Sequence, residues 1–248
     1  MPATPAWPPR SAPRLFVPDT LSQEAPVSIA EAQAHYLLRV MRVGVGDTVI
    51  LCDDQTGEWA AQVTDTGKKA LVLTPQHRLR EREAVPDFWL CAALLKKDRF
   101  DLLLEKGTEL GAARIVPVLA RRCVADRLNP DRARAHIVEA AEQCARTALP
   151  DLTPVTKLDS LLRDWPANRR LFFADEAGGE PARASFAGEP GPAALLTGPE
   201  GGWDDAERAL IRAHPQARPI TLGPRILRGE TAAIAATALW MGVAGDWS

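Results

Sequence analysis

The sequence predicts an α/β fold with a mainly parallel sheet, preceded by a small β-barrel domain. From Phe88 onward, apolar strand-like runs alternate with helical ones, the pattern of a parallel sheet with helices on both faces. Before that point, short strands follow one another between glycine turns, a spacing that suggests a barrel. Two glycine- and proline-punctuated turns, Leu196-Thr197-Gly198-Pro199-Glu200-Gly201-Gly202 and Leu222-Gly223-Pro224-Arg225-Ile226-Leu227-Arg228, each follow an apolar run. Ligands of such sheets sit beyond the carboxyl ends of the strands, where both turns fall.

The elements follow in order. Met1 to Pro13 holds five prolines and no apolar core, so residues 1–13 read as a disordered tail and not as a secretory signal. Strands are predicted at Leu15–Val17, Val27–Ile29, Thr48–Cys52, Trp59–Thr64 and Ala70–Leu73, with turns at Gly46-Asp47, Gly57 and Gly67 and one helix over Ala30–Met41. Polar Gln76–Glu83 then separates a first domain, 14–84, from a second, 85–248. In the second, strands are predicted at Phe88–Leu95, Arg114–Leu119, Leu171–Ala174, Ala193–Thr197 and Pro219–Leu222. Helices are predicted at Arg99–Leu110, where Gly111 stops the run, and at Pro130–Thr147 and Asp204–Ala213. The last helix, Thr231–Val243, is apolar nearly all round and must be buried on more than one side, in the core of its own chain or against a second subunit.

Composition narrows the class. With 46% hydrophobic and 25% charged residues the chain reads as a soluble globular protein, and no apolar stretch reaches the roughly 18 residues of a membrane-spanning helix. Cys52, Cys91, Cys123 and Cys144 form no C-x-x-C pair and the four histidines have no ligand spacing, so no metal site or disulfide framework is signalled and a reducing, cytoplasmic setting fits. A net charge of −2 argues mildly against a nucleic-acid partner. Against that stand local cationic clusters, including Arg39 with Arg42, Lys68 with Lys69, Lys96 with Lys97 and Arg99, and Arg121 with Arg122.

Neither a P-loop, a G-x-G-x-x-G fingerprint nor a G-x-S-x-G elbow occurs, which removes the common phosphate, dinucleotide and serine-hydrolase readings. What remains is a pocket walled by main chain at the two turns. Glycine there lets backbone approach a ligand or adopt a turn that a β-carbon forbids. Arg225, Arg228 and Glu230 stand beside the second turn.

The residues of both turns, with Lys106-Gly107-Thr108-Glu109-Leu110-Gly111, Glu139-Ala140-Ala141-Glu142-Gln143-Cys144-Ala145-Arg146, Pro13-Arg14-Leu15-Phe16-Val17 and His35 to Val43, resemble the RsmE-type 16S rRNA uridine-N3 methyltransferases of the SPOUT (trefoil-knot) superfamily. The resemblance spans essentially the whole chain. Gly229 departs from it, standing where the family usually has threonine. It implies a C-terminal trefoil knot, a PUA-like N-terminal barrel and a homodimer formed through the knotted region. It also implies S-adenosylmethionine bent in a pocket of Leu196, Thr197, Gly198, Glu200, Gly201, Leu222, Gly223, Ile226, Leu227 and Arg228. The expected substrate is 16S rRNA in an assembled small ribosomal subunit, with no metal. Arg39, Arg42 and Lys68 become candidate phosphate contacts, and Gln143 and Arg146 candidate wall residues of the RNA site.

The chemistry makes its own demand. The N3–H of uracil is about as acidic as a phenol, with a pKa of roughly 10, so the nucleophilic anion is scarce at neutral pH. Arg225 and Arg228 are candidates to stabilise that anion, and Glu230 and Glu200 to accept the proton, Glu200 being better suited to orienting its turn. An Arg228–Glu230 ion pair that only shapes the loop is the structural alternative. Ribose 2′-O methylation and a catalytically silent RNA-binding or assembly factor are the rival functions.

Overall fold

The computed structural model describes residues 12–188 and 191–247; most of the proline-rich tail read from the sequence, residues 1–11, lies outside them. The described residues form two compact units, 12–84 with 141–148, and 85–140 with 149–247.

The first unit is a curled five-stranded sheet, a half-barrel, in the order β1 (Arg14–Phe16), β3 (Thr48–Asp53), β4 (Gly57–Thr66), β5 (Ala70–Arg80), β2 (Val27–Ala30). Its concave face buries Leu15, Val27, Ile29, Val49, Leu51, Val63, Leu71 and Leu73, the alternate residues that a period of two selects. The helix between β2 and β3 is regular over α1 (Glu31–His35). It then widens to π pitch over Tyr36–Val40, where the Met41 N–H reaches the Tyr36 carbonyl at 3.0 Å.

One expectation is corrected here. Gln76–Arg80 is not a separator but the second half of β5, because Trp59 pairs with Arg78 and, past a one-residue bulge, Glu58 with Arg80. Buried Glu58 receives both Arg14 and Arg80, so these charges belong to a strand that brings them to a partner. Arg80 also donates to the Ala145 carbonyl at 2.6 Å.

The second unit is an eight-stranded sheet whose main path runs β11 (Glu180–Pro181), β13 (Ala217–Thr221), β10 (Arg170–Ala174), β12 (Ala193–Thr197), β6 (Phe88–Ala93), β7 (Arg114–Leu119), β8 (Asp151–Leu152), with β9 (Thr156–Lys157) also on β7. Every pairing in it is parallel. All five residues of β12 are buried, as a strand covered on both faces requires. Leu195 packs to one side with Phe88, Phe172 and Trp240; Leu196 packs to the other with Phe173 and Trp203.

Six helices accompany the sheet: α2 (Lys97–Glu109), α3 (Pro130–Cys144), α4 (Leu158–Arg163), α5 (Ala182–Phe186), α6 (Asp205–Ala213) and α7 (Gly229–Val243). Asp204 starts α6 with a complete capping box, its carboxylate accepting the Ala206 N–H and the Glu207 side chain reaching back. The helix read over Pro130–Thr147 ends at Cys144, because Ala145 takes a left-handed conformation (φ 61°). On α7, Ala233, Ala236, Thr237, Trp240 and Met241 are buried within the chain, whereas Thr231, Ala235 and Gly242 stay exposed.

Burial alone would raise the Glu58 carboxyl, but hydrogen bonds and charge from Arg80 and Arg14 outweigh it and hold the group below its usual range. Such a carboxylate contributes stability that is complete above the unfolded pKa of about 4.3 and lost as pH falls through the folded value. The urea midpoint is expected to drop as the pH is lowered below that value. Glu58→Gln should lower stability by about 1–3 kcal/mol at neutral pH and flatten the acid limb, as read by urea titrations at a series of pH values. An unchanged acid limb would remove Glu58 from the account.

Candidate active site

The carboxyl ends of β6, β10, β12 and β13 open into one cleft of about 810 Å³, within the range of small-molecule sites. Gly198 to Gly202 form one wall and Ile220 to Gly229 another, while Lys96, Arg99, Val124, Ala174, Asp175, Glu176 and Ala232 complete the lining. Both glycine turns therefore face a single space, as read from the sequence.

Most expected cofactor contacts line this cleft: Gly198, Glu200, Gly201, Leu222, Gly223, Ile226, Leu227 and Arg228. Leu196 and Thr197 do not. They sit one and two residues deeper on β12, and their side chains are buried, Leu196 in the cluster with Phe173 and Trp203. Ile226 is 86% exposed, which excludes an ordinary core role and leaves an apolar side chain at the rim.

The two key glycines are required for different reasons. A β-carbon on Gly198 would stand 2.8 Å from Nε1 of the buried Trp203, so the loop is pressed against the core behind it. Gly223 has open space around it but adopts φ +111°, which side-chain-bearing residues rarely do. Glu200 accepts the Lys96 N–H at 2.9 Å and so fastens its turn to the start of α2.

Glu230 corrects one sequence reading: its ion-pair partner is Arg99, not Arg228, and it lies buried at the start of α7. A carboxylate in that position holds Arg99 at the cleft wall. Arg225 and Arg228, by contrast, line the cleft and form no ion pair among the described residues.

Sequence reasoning missed Asp175 and Glu176, which follow β10 and lie between the two turns. Asp175 is fully buried and accepts from Arg208 Nε at 3.1 Å, Arg212 Nε at 2.8 Å and the Ala177 N–H at 2.9 Å. Arg208 also pairs with Glu176. The available signal was an acidic pair and Gly178-Gly179 immediately after a strand, the same strand-then-glycine pattern as the other two turns.

The expected RNA contacts all lie in the first unit. Arg39, Arg42, Lys68 and Gln143 are exposed. Arg146 is not a surface wall residue. It follows the end of α3, is 5% exposed, and burial holds its pKa below the usual value despite the nearby Glu83 charge. Helix α3 has ended before Arg146, and Glu142 on it accepts the Phe16 N–H at 2.7 Å. No group of three or more histidine, cysteine, aspartate or glutamate side chains able to hold a metal occurs among the described residues.

Comparison with known proteins places this geometry. Residues 81–241 match the model of an RNA methyltransferase domain, and residues 29–76 that of an RNA methyltransferase PUA domain. Ribosomal RNA small subunit methyltransferase E of Synechocystis is 32% identical, over 91% of this chain and 76% of the relative. The protein of the same name from Rickettsia conorii is 29% identical, over 91% and 93%. The crystal structure of that enzyme from Neisseria gonorrhoeae, bound to S-adenosyl methionine, superposes with a TM-score of 0.85 at 27% identity, over 96% of this chain and all of that one. The chain belongs to the RNA methyltransferase family of ribosomal RNA small subunit methyltransferase E, and its fold is the PUA-plus-SPOUT arrangement.

The two glycines are expected to respond differently to alanine. Gly198→Ala pushes on Trp203 and should lower the melting temperature and change tryptophan fluorescence as well as cofactor affinity. Gly223→Ala should leave the core signal intact and weaken S-adenosylmethionine binding through strain of about 1 kcal/mol or more, roughly fivefold or greater in Kd. Calorimetry and thermal melts distinguish the two. Equal stability losses in both variants would contradict the assignment.

Proposed function

We propose that the chain transfers a methyl group from S-adenosylmethionine to N3 of a uridine in 16S rRNA, acting on the small ribosomal subunit in the cytoplasm as a homodimer. The observation that carries the reading is the single cleft to which both glycine turns contribute, with Arg225 and Arg228 forming no ion pair among the described residues. The half-barrel, 14–84, serves as the RNA-binding domain and residues 85–248 as the catalytic one.

The cleft suits the cofactor. Main chain at Gly198, Gly201 and Leu222–Leu227 presents hydrogen-bonding groups with few bulky side chains in the way, which fits an adenosine. Bound there, S-adenosylmethionine supplies a methyl group that the N3 lone pair displaces from sulfur, the C–S electrons staying on sulfur as a thioether. The residues of this chain provide the rest. Arg228 and Arg225 face the anion that forms as the N3 proton leaves to solvent. Lowering a pKa of about 10 to near 7 asks for roughly 4 kcal/mol, within the range of one or two preorganised electrostatic donors. Glu230 acts on this step through Arg99, by keeping that cation at the wall. Because a paired uracil hides N3, the target nucleotide is unpaired or displaced from its stack.

The homodimer is supported by the exposed strip of α7, Thr231, Ala235 and Gly242, flanked by half-buried Ile234, Ala238 and Leu239. Small side chains on an apolar helix allow close approach of another helix.

Labelled methyl transfer to small subunits, followed by nucleoside analysis, is expected to yield N3-methyluridine. Ribose-methylated nucleoside, or none, would overturn the proposal. Arg228→Ala should lower turnover by roughly 100- to 1,000-fold with much less effect on cofactor affinity, because its contact strengthens in the transition state. Near-wild-type single-turnover rates would remove Arg228 from the mechanism. Sedimentation at micromolar concentration should give twice the 26.9 kDa chain mass, whereas an active monomer would exclude the dimer.

A further inference from the structure

In the half-barrel sheet β2 and β4 finish, and β3 and β5 begin, at the same end, since Ala30 pairs with Ala70, Thr66 with Leu71 and Thr48 with Gln62. The segments joining them there are the α1–π helix with its following loop, 31–47, and the turn 67–69. Together they carry an apolar surface open to solvent: Tyr36 is 40% exposed, Met41 38%, Val40 60% and Val45 65%. Arg39, Arg42, Lys68 and Lys69 surround it. All four are exposed, and none forms an ion pair among the described residues.

Two backbone features hold this surface outward. The π pitch of Tyr36–Val40 brings Tyr36, Val40 and Met41, at i, i+4 and i+5, to one side of the helix. Arg42 then adopts φ +57°, a left-handed conformation uncommon for a long side chain, and turns the chain back so that the Val43 N–H meets the Leu37 carbonyl at 3.0 Å. Apolar side chains of this size are normally exposed singly. Here four lie within ten residues, beside cations that form no ion pair among the described residues.

The acidic residues at this end make no ion pair with the cations among the described residues. Asp47 accepts the Gly44 N–H at 2.7 Å and Asp65 the Thr66 N–H at 2.8 Å, each in its own turn, and with Glu31 they still leave the four cations in excess. The occupant must therefore bring negative charge together with flat apolar surface. Unpaired RNA has both, because its bases stack on aromatic rings and its phosphates meet arginine and lysine, whereas duplex RNA hides the base faces.

We propose that this surface binds an unpaired stretch of RNA, with Tyr36 as the stacking platform for one base, the Val40–Met41–Val45 shelf beneath its neighbour, and Arg39, Arg42, Lys68 and Lys69 on the adjoining phosphates. The proposal rests on the RNA-methylating function above and adds the form of RNA engaged and the side chain that engages it.

Tyr36 is the one tyrosine of the chain, so 3-fluorotyrosine incorporation gives a single ¹⁹F resonance that reports this site alone. In the full-length protein, a mixed-sequence 12-nucleotide single-stranded RNA is expected to shift that resonance, and the same RNA as a duplex to shift it much less. S-adenosylmethionine alone should leave it unmoved. In parallel titrations Tyr36→Leu, which keeps apolar bulk without a ring, should weaken single-strand binding roughly 10-fold, and Tyr36→Phe should bind within about twofold of the parent. Arg39→Gln and Arg42→Asn should each reduce the slope of log K against log salt by about 0.7. A resonance unmoved by single-stranded RNA, Leu and Phe variants of equal affinity, or a response to duplex as large as to single strand would overturn the proposal. So would a resonance that moves with protein components of the small subunit and not with RNA. Nucleoside analysis on the Tyr36→Leu variant at saturating subunits keeps the two readings apart: N3-methyluridine there, with any of those results, sinks the platform and leaves the methyltransferase assignment standing.

Discussion

The cleft depends on how closely the start of α7 rests on the turn that follows β12. A β-carbon at position 229 would lie 2.8 Å from the Gly198 carbonyl oxygen and 3.0 Å from Leu95 Cδ2, so a residue without a side chain lets the two segments meet. To reach that contact from β13 the chain must pass back across the end of β10, since β13 and β12 lie on opposite sides of it. The crossing sets the second glycine turn beside the first, and α7 then packs on with Phe88 and Trp240 stacked at 4.5 Å. Gly229 thus sits where this return path meets the first turn.

Charge around the cleft is sorted by what each group already holds. Asp175 and Glu176 are occupied by Arg208 and Arg212, and Arg99 is occupied by Glu230. These pairs fix the shape of the walls, and their attraction is spent inside the protein. Arg225 and Arg228 line the space with Lys96, and none of the three has an ion-pair partner among the described residues. Placing Arg225 and Arg228 on a turn anchored by Gly223 at one end and by the start of α7 at the other suits the proposed role of meeting new charge with little reorganisation.

The alternation of apolar runs made the parallel sheet legible, and glycine after two of its strands located the cleft. What stayed hidden was long-range. Nothing in the order of residues says that Glu230 faces Arg99, 131 positions away, or that Glu58 takes Arg80 into a strand. Arg146 looked like a helix-face cation because the helical pattern runs on past Cys144. The left-handed turn at Ala145, closed by Arg80 on its carbonyl, instead buries it. The third loop of the cleft, Asp175–Glu176, was overlooked because its glycines follow two acids that read as ordinary solvated charge. Tyr36 escaped notice for a similar reason, since the amphipathic pattern gives its neighbour Leu37 to the core but cannot report a change of helical pitch.

The central claim is that two turns 24 positions apart, Gly198 and Leu222 onward, form one cofactor pocket from main chain. Hydrogen exchange with and without S-adenosylmethionine tests it without altering a residue. The account predicts that amides of Gly198–Gly202 and of Leu222–Leu227 slow together, at the same cofactor concentration, while those of the half-barrel strands do not change. Protection confined to one turn, or appearing on other segments and sparing both, would contradict it.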